Sequence, residues 1–312
     1  MKPSHKQNLT VTALALASAL VSPVSHAQDR PAFDSSFTLA PADPASSGGG
    51  STAADAQAQD QVAELAKKLN NPLAALISVP IQNNWDFGLG PAHAMQYKAN
   101  LQPVIPVSIS EHWNLILRTI MPVIYQEALV DGPLARFAPK EMGKSHYGLG
   151  DTTQSFFFSP KEPVGGWILG AGPVAYLPTA TTSYLGSGQW GAGPTVVGLR
   201  QEHGFTYGVL ANQIWSFTGQ KDRNEVNAAY VQPFVAYTTK TYTTFAVNSE
   251  STYDWQSDHA TVPMNFMVQQ VLKIGGKPVA FQAGYRYYIE KPDGGPDWGL
   301  RFTITFLFPK KN

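Results

Sequence analysis

The stretch WGLRFTITFLF, running from Trp298 to Phe308, decides the fold. Trp298, Leu300, Phe302, Ile304, Phe306 and Phe308 fall on one face of a strand, and Arg301, Thr303 and Thr305 fall on the other. Alternation with a period of two gives a strand one oily side and one polar side. Leu307 is the one apolar intruder among the polar positions. A sheet protein in water would bury the oily face under a second layer. A face this aromatic at the end of an exported chain suits acyl chains instead, with the polar face turned to a lumen.

Composition agrees. The chain has 312 residues, of which 14% are charged, against roughly a quarter in ordinary soluble domains. Aromatic residues make up 12%, yet the mean hydropathy is only −0.16. Many aromatics, few charges and no long greasy run fit a barrel whose lumen side lowers the average. Lys plus Arg and Asp plus Glu number 22 each, so no charge excess points to nucleic acid. The absence of cysteine excludes disulfides, thiol catalysis and thiolate-bound zinc.

The N-terminal segment reads as an address. Lys2, His5 and Lys6 precede the apolar run from Leu9 to Val21, and Ser25-His26-Ala27 closes it. That order predicts a secretory signal peptide over residues 1–27. Residues 28–60 are Ala, Ser, Gly, Pro, Asp and Gln, too poor in large apolar groups to order themselves, and read as a flexible tether. Residues 61–77 carry Val62, Leu65, Leu69, Leu73 and Leu76 at helical spacing, with Asp60 as a cap and Asn70-Asn71-Pro72 as a stop. This short helix either lies at the periplasmic mouth or folds into the lumen as a plug, the mouth being the favoured placement.

Residues 78–312 are expected to form the barrel. About twelve candidate strands of transmembrane length follow one another from Ile81 to Phe308. Gaps after even-numbered strands are tight, as at Glu202-His203 and Gly275-Gly276-Lys277, whereas most gaps after odd ones are longer, the longest being Val123 to His146. Short turns at one end and long loops at the other are the asymmetry of outer-membrane barrels. Pro103, Pro173, Pro194, Pro233 and Pro263 lie within or near strands, and a closed barrel has no free edge for them. They are expected at strand ends or bulges.

The motifs argue against enzymatic chemistry. Gly186-Ser-Gly-Gln-Trp-Gly191 matches GxGxxG but precedes a strand rather than a helix, so it is read as a loop. A GxGP signature recurs at Gly88–Pro91, Gly170–Pro173 and Gly191–Pro194, where bulges or corners are expected. Ser145-His146 raises a lipid-hydrolase alternative, but no GxSxG or HExxH motif accompanies it. The seven His show no metal-ligand spacing. No enzyme activity, metal or cofactor is expected. If the oily sides face lipid, Asp86, Lys98, Arg118, Glu250, Arg286 and Arg301 become the candidate lumen-lining residues. Each either meets solute or pairs across the lumen, and their mixed signs argue against a strongly charge-selective pore. Tyr176, Tyr237 and Tyr288 are placed either inward or in the interfacial girdle.

Several blocks together resemble a known family. They are ELAKKLNNPLAALISVPIQNNWDFGLGPA (Glu64–Ala92), LQPVIPVSISEHWNLILRTIMPV, GLGDTTQSFFFSP, LGSGQWGAGP, IWSFTG and PDGGPDWGLRFTITFLFPK. Across about residues 62–310 the chain is similar to the bacterial outer-membrane transporter family of the phenol-degradation (meta-pathway) type. The insert at Ala135 to Lys144 and the tether look less like family blocks. The resemblance implies an outer-membrane barrel admitting aromatic or other small organic molecules, and carries no site residues with it.

The expectation is thus an all-β, transmembrane, antiparallel up-and-down barrel in the bacterial outer membrane, with a short N-terminal helix. It would act as a passive channel for small molecules, aromatic or hydrophobic compounds among them. Its partners would be outer-membrane lipid, the solute, and the barrel-assembly machinery through the C-terminal strand, with no nucleic acid. The alternatives are a non-conducting structural or surface-interaction barrel and, less favoured, the lipid hydrolase.

Overall fold

The computed structural model describes residues 63–131 and 143–308. The expected signal peptide, the tether, the Asp60 cap and most of the 135–144 insert lie outside the described residues. The chain forms a closed antiparallel barrel of 12 strands in up-and-down order. They are β1 (Ile77–Leu89), β2 (Ala94–Leu101 and Val104–Ser108), β3 (Trp113–Gln126), β4 (His146–Leu149 and Thr152–Pro160), β5 (Ile168–Leu177) and β6 (Gln189–Glu202). There follow β7 (Phe205–Gly219), β8 (Asn227–Thr238), β9 (Thr243–Ser249 and Ser251–Asp254), β10 (His259–Ile274), β11 (Lys277–Glu290) and β12 (Trp298–Phe308).

Closure comes from β1 pairing with β12 in an unbroken register from Ile77↔Phe308 to Phe87↔Trp298. The stretch Trp298–Phe308 is therefore the seam of the ring. Along it Gly299, Arg301, Thr303, Thr305 and Leu307 are buried on the lumen side, while Trp298, Leu300, Phe302, Phe306 and Phe308 are exposed outside. Apolar exposure of this kind runs around the circumference, through Ile105, Leu169, Val196, Val209, Val235, Phe266 and Tyr285. An apolar band this continuous has no place in water and matches a hydrocarbon layer. Half-buried and exposed aromatics mark both ends of the band. Trp85–Tyr97 and Phe87–Trp298 pack on each other toward the long loops, and Phe205–Tyr237 toward the short turns.

Three strands are interrupted by one or two residues, at Gln102-Pro103, Gly150-Asp151 and Glu250. The prolines sit where ladders are broken. Pro103 lies in the break of β2. Pro173 falls where β4–β5 pairing lapses between Ser155↔Val174 and Phe158↔Ala171, and Pro194 where β6–β7 pairing lapses between Ala192↔Trp215 and Thr195↔Asn212. Pro233 and Pro263 flank the Glu250 break from β8 and β10. A proline has no amide hydrogen to offer the ladder, so pooling the gaps wastes few bonds. The GxGP glycines serve the same places. A Cβ on Gly172 would overlap the Phe156 carbonyl, and one on Gly193 the Gln213 carbonyl.

Candidate functional site

The lumen is layered. At the short-turn end, residues 63–69 form one helix, α1. A Glu64–Lys68 ion pair at 2.6 Å lies on its outer side, and Asn70 Nδ2 caps it by donating to the Ala66 carbonyl at 3.1 Å. Leu65, Ala66, Ala74 and Leu76 pack on Val271, Ala280 and Leu307 from β10, β11 and β12. Leu73 reaches the opposite wall, among Ile116, Phe157, Val197, Leu199 and Leu210 of β3, β4, β6 and β7. Residues 63–76 thus cross the mouth from wall to wall. Gln201 Nε2 donating to the Lys67 carbonyl (2.9 Å) and Asn70 Nδ2 donating to Thr238 Oγ1 (3.2 Å) tie the segment to the rim. The apolar Leu307 on the polar face of β12 is explained here. It is 3% exposed because the segment covers it.

Above this collar lies a glutamine-rich layer, with Gln102 Nε2 donating to Gln82 Oε1 at 3.1 Å and Thr303 Oγ1 to Gln282 Oε1 at 3.3 Å. The glutamines of this layer are not singled out by the sequence, unlike the short helix expected over residues 61–77. Single neutral polar residues carry no motif signal, and only their common level in the closed ring groups them.

The charged layer comes next. Arg301 donates through Nη1 to Glu250 Oε1 at 2.8 Å, through Nη2 to Oε2 at 2.7 Å, and through Nε to Asn84 Oδ1 at 2.8 Å. Arg286 approaches Asp86 at 3.4 Å and Glu250 at 3.8 Å. Tyr288 donates its hydroxyl to Asp86 Oδ1 at 2.9 Å, and the Arg286 guanidinium lies 5.4 Å from the Tyr288 ring centre. Four of the six candidate residues therefore form one network, with Glu250 presented by the break in β9. Arg118 stands on β3 and donates to Gln102 Oε1 at 3.2 Å. Lys98, one position from Asn100 on the inward face of β2, is in Coulombic reach of Asp86 and Glu250. Among the described residues neither Lys98 nor Arg118 has an ion-pair partner within 4 Å, and Arg286 Nε has no hydrogen-bond partner.

Between the segment 69–76 and this layer is a cavity of about 520 Å³. Arg118, Glu250, Arg301 and Gln282 line it with polar groups, and Ile120, Leu210, Ile214, Tyr230 and Phe234 give it apolar surface interleaved with Asn212 and Gln232. Tyr230 was missed in the sequence, since the alternation of β8 is weak. Of the tyrosines placed there, Tyr288 is buried in the network and Tyr176 donates to Asp151 at 2.9 Å. Tyr237 is 42% exposed and packs on Phe205 outside, so it belongs to the girdle. Ser145 is exposed, and the His146 ring stacks on Tyr184 at 4.3 Å. Among the described residues there is no group of three or more His, Asp or Glu suited to a metal ion.

No protein-family model and no curated protein matches the chain. Solved structures do. An outer membrane channel from Pseudomonas putida F1 aligns with a TM-score of 0.57 at 12% identity, over 75% of this chain and 96% of that one. The NanC porin aligns at 0.48 and 12%, over 73% and 98%. Outer membrane phospholipase A from Escherichia coli aligns at 0.43 and 9%, over 81% and 98%. The first likeness shows a shared fold, that of an outer-membrane barrel, and the other two are too distant to carry an argument.

Proposed function

We propose that this protein is an outer-membrane channel that lets small organic solutes cross passively. The observation that carries the reading is an axial cavity of about 520 Å³ inside a ring whose outer face is apolar and whose inner face is polar. The ring is wider than an eight-stranded barrel filled by its own side chains. Residues 63–76 act as the closure of the short-turn mouth, held by a few leucines and two side-chain hydrogen bonds. Burial of a leucine is worth about 1.5–3 kcal/mol, so the closure is firm at rest and yet reversible. The resemblance of the sequence blocks and the apolar surface in the cavity support aromatic or hydrophobic-bodied solutes. The reading includes no cofactor and no catalytic step.

Single-channel conductance in planar bilayers tests it. Full-length protein should conduct in small steps, and protein lacking residues 28–76 in much larger ones. Silence from both forms would remove the channel. The second reading, a non-conducting structural barrel, draws on the Arg301–Glu250 pair bracing the lumen, and that silence is what it requires.

A further inference from the structure

The charged layer is not balanced. Lys98, Arg118, Arg286 and Arg301 face only Asp86 and Glu250, and both carboxylates are already engaged by Arg286 and Arg301. The guanidinium of Arg118, which stays charged, is left over without an ion-pair partner among the described residues. Mixed signs along the sequence argue against a strongly charge-selective pore, yet the pairing engages both carboxylates and leaves positive charge over. Low-dielectric walls strengthen the field of such an excess inside a narrow passage. Arg118 also lines the cavity, two positions from Ile120 on β3.

We propose that the cavity receives a small organic carboxylate with an apolar body. The carboxylate is held by Arg118 with Arg301 nearby, and the hydrocarbon lies against Ile214, Tyr230 and Phe234. A planar guanidinium suits a carboxylate by two parallel hydrogen bonds. The apolar surface of Ile214, Tyr230 and Phe234 favours a hydrocarbon body over an inorganic anion, whose hydration it replaces poorly. Glu250 shares Arg301 with the solute and so keeps the affinity low enough for release, as conduction requires. The inference deepens the channel reading and relies on it for the route by which the solute arrives.

Benzoate, benzyl alcohol and benzylammonium are the probes, titrated calorimetrically into full-length folded protein in detergent, with conductance followed in parallel. Benzoate should bind at least tenfold more tightly than benzyl alcohol, and benzylammonium should not bind. Arg118→Gln, whose described polar side-chain partner is only Gln102, should cut benzoate affinity about tenfold and leave benzyl alcohol unchanged. Arg118→Lys should fall between them. Equal affinity for benzoate and benzyl alcohol, no binding of benzoate, or indifference to both substitutions would overturn the carboxylate site. Benzoate binding by a protein that never conducts would keep the site and remove the channel. Conduction without benzoate preference would do the reverse.

Discussion

Arg301 of β12 and Glu250 of β9 close a two-pronged ion pair although β10 and β11 lie between them in the wall. The pair is thus a chord across part of the lumen rather than a contact along the sheet. The Arg301 side chain is 2% exposed and that of Glu250 20%. Removing one partner leaves a buried guanidinium short of its counter-charge. Glu250→Gln should therefore destabilise the barrel by about 2–3 kcal/mol, less than a fully dry pair would cost. Urea midpoints in lipid vesicles measure it. The double variant Glu250→Met with Arg301→Met should recover most of the loss, and a double variant as unstable as Glu250→Gln would count against the chord.

Leu73 anchors the mouth segment to the wall formed by Ile116, Phe157 and Leu199. Truncation to alanine leaves a gap there, and such changes cost about 2–5 kcal/mol in packed sites. Leu73→Ala should loosen residues 63–76 and leave the barrel intact. Trypsin should then cleave at Lys67 or Lys68 at least tenfold faster, and the conductance steps should grow. Cleavage at the wild-type rate would mean that the segment is held elsewhere.

Asp151, at the break in β4, gathers the long β5–β6 loop. It accepts from Tyr176 Oη at 2.9 Å, Ala180 N at 3.1 Å, Ser187 N at 2.6 Å and Ser187 Oγ at 2.9 Å. Arg223 donates to the carbonyls of Ser187 and Gly186 on the same loop. Asp151→Ala strands several donors, each costing about 1–3 kcal/mol when left unmet. Amide exchange over residues 178–188 should accelerate at least a hundredfold while β10–β12 stay protected. Protection unchanged in the loop would show that Arg223 alone suffices.

Phe302 looks outward near the middle of β12, and Phe308 looks outward at its end. An arginine facing the bilayer midplane costs about 2–4 kcal/mol, and near the interface only about 0–1 kcal/mol. Phe302→Arg should accordingly lower the unfolding free energy in vesicles well beyond Phe308→Arg. Equal effects at the two sites would place the apolar band elsewhere than in a membrane.

Strand order, the uneven loops and the two faces of strands such as β12 were legible in the residues, while those of β8, where alternation is weak, were not. Alternation is a property of neighbours two apart, and it survives whatever the rest of the chain does. The prolines likewise announced the broken ladders, because a missing amide hydrogen is a local fact. Leu307 was legible only as an exception, and Tyr237 was left between two placements. What settles both is the company each keeps after closure. Glu250 and Arg301 are 51 residues apart in the chain, and nothing in either segment names the other. Whether they meet depends on the register of every strand between them, and on the ring closing at β1 with β12. The same closure set Leu307 under the mouth segment and left Lys98 and Arg118 facing carboxylates already taken. Periodicity is encoded residue by residue, whereas a level in the lumen exists only once the ring is shut.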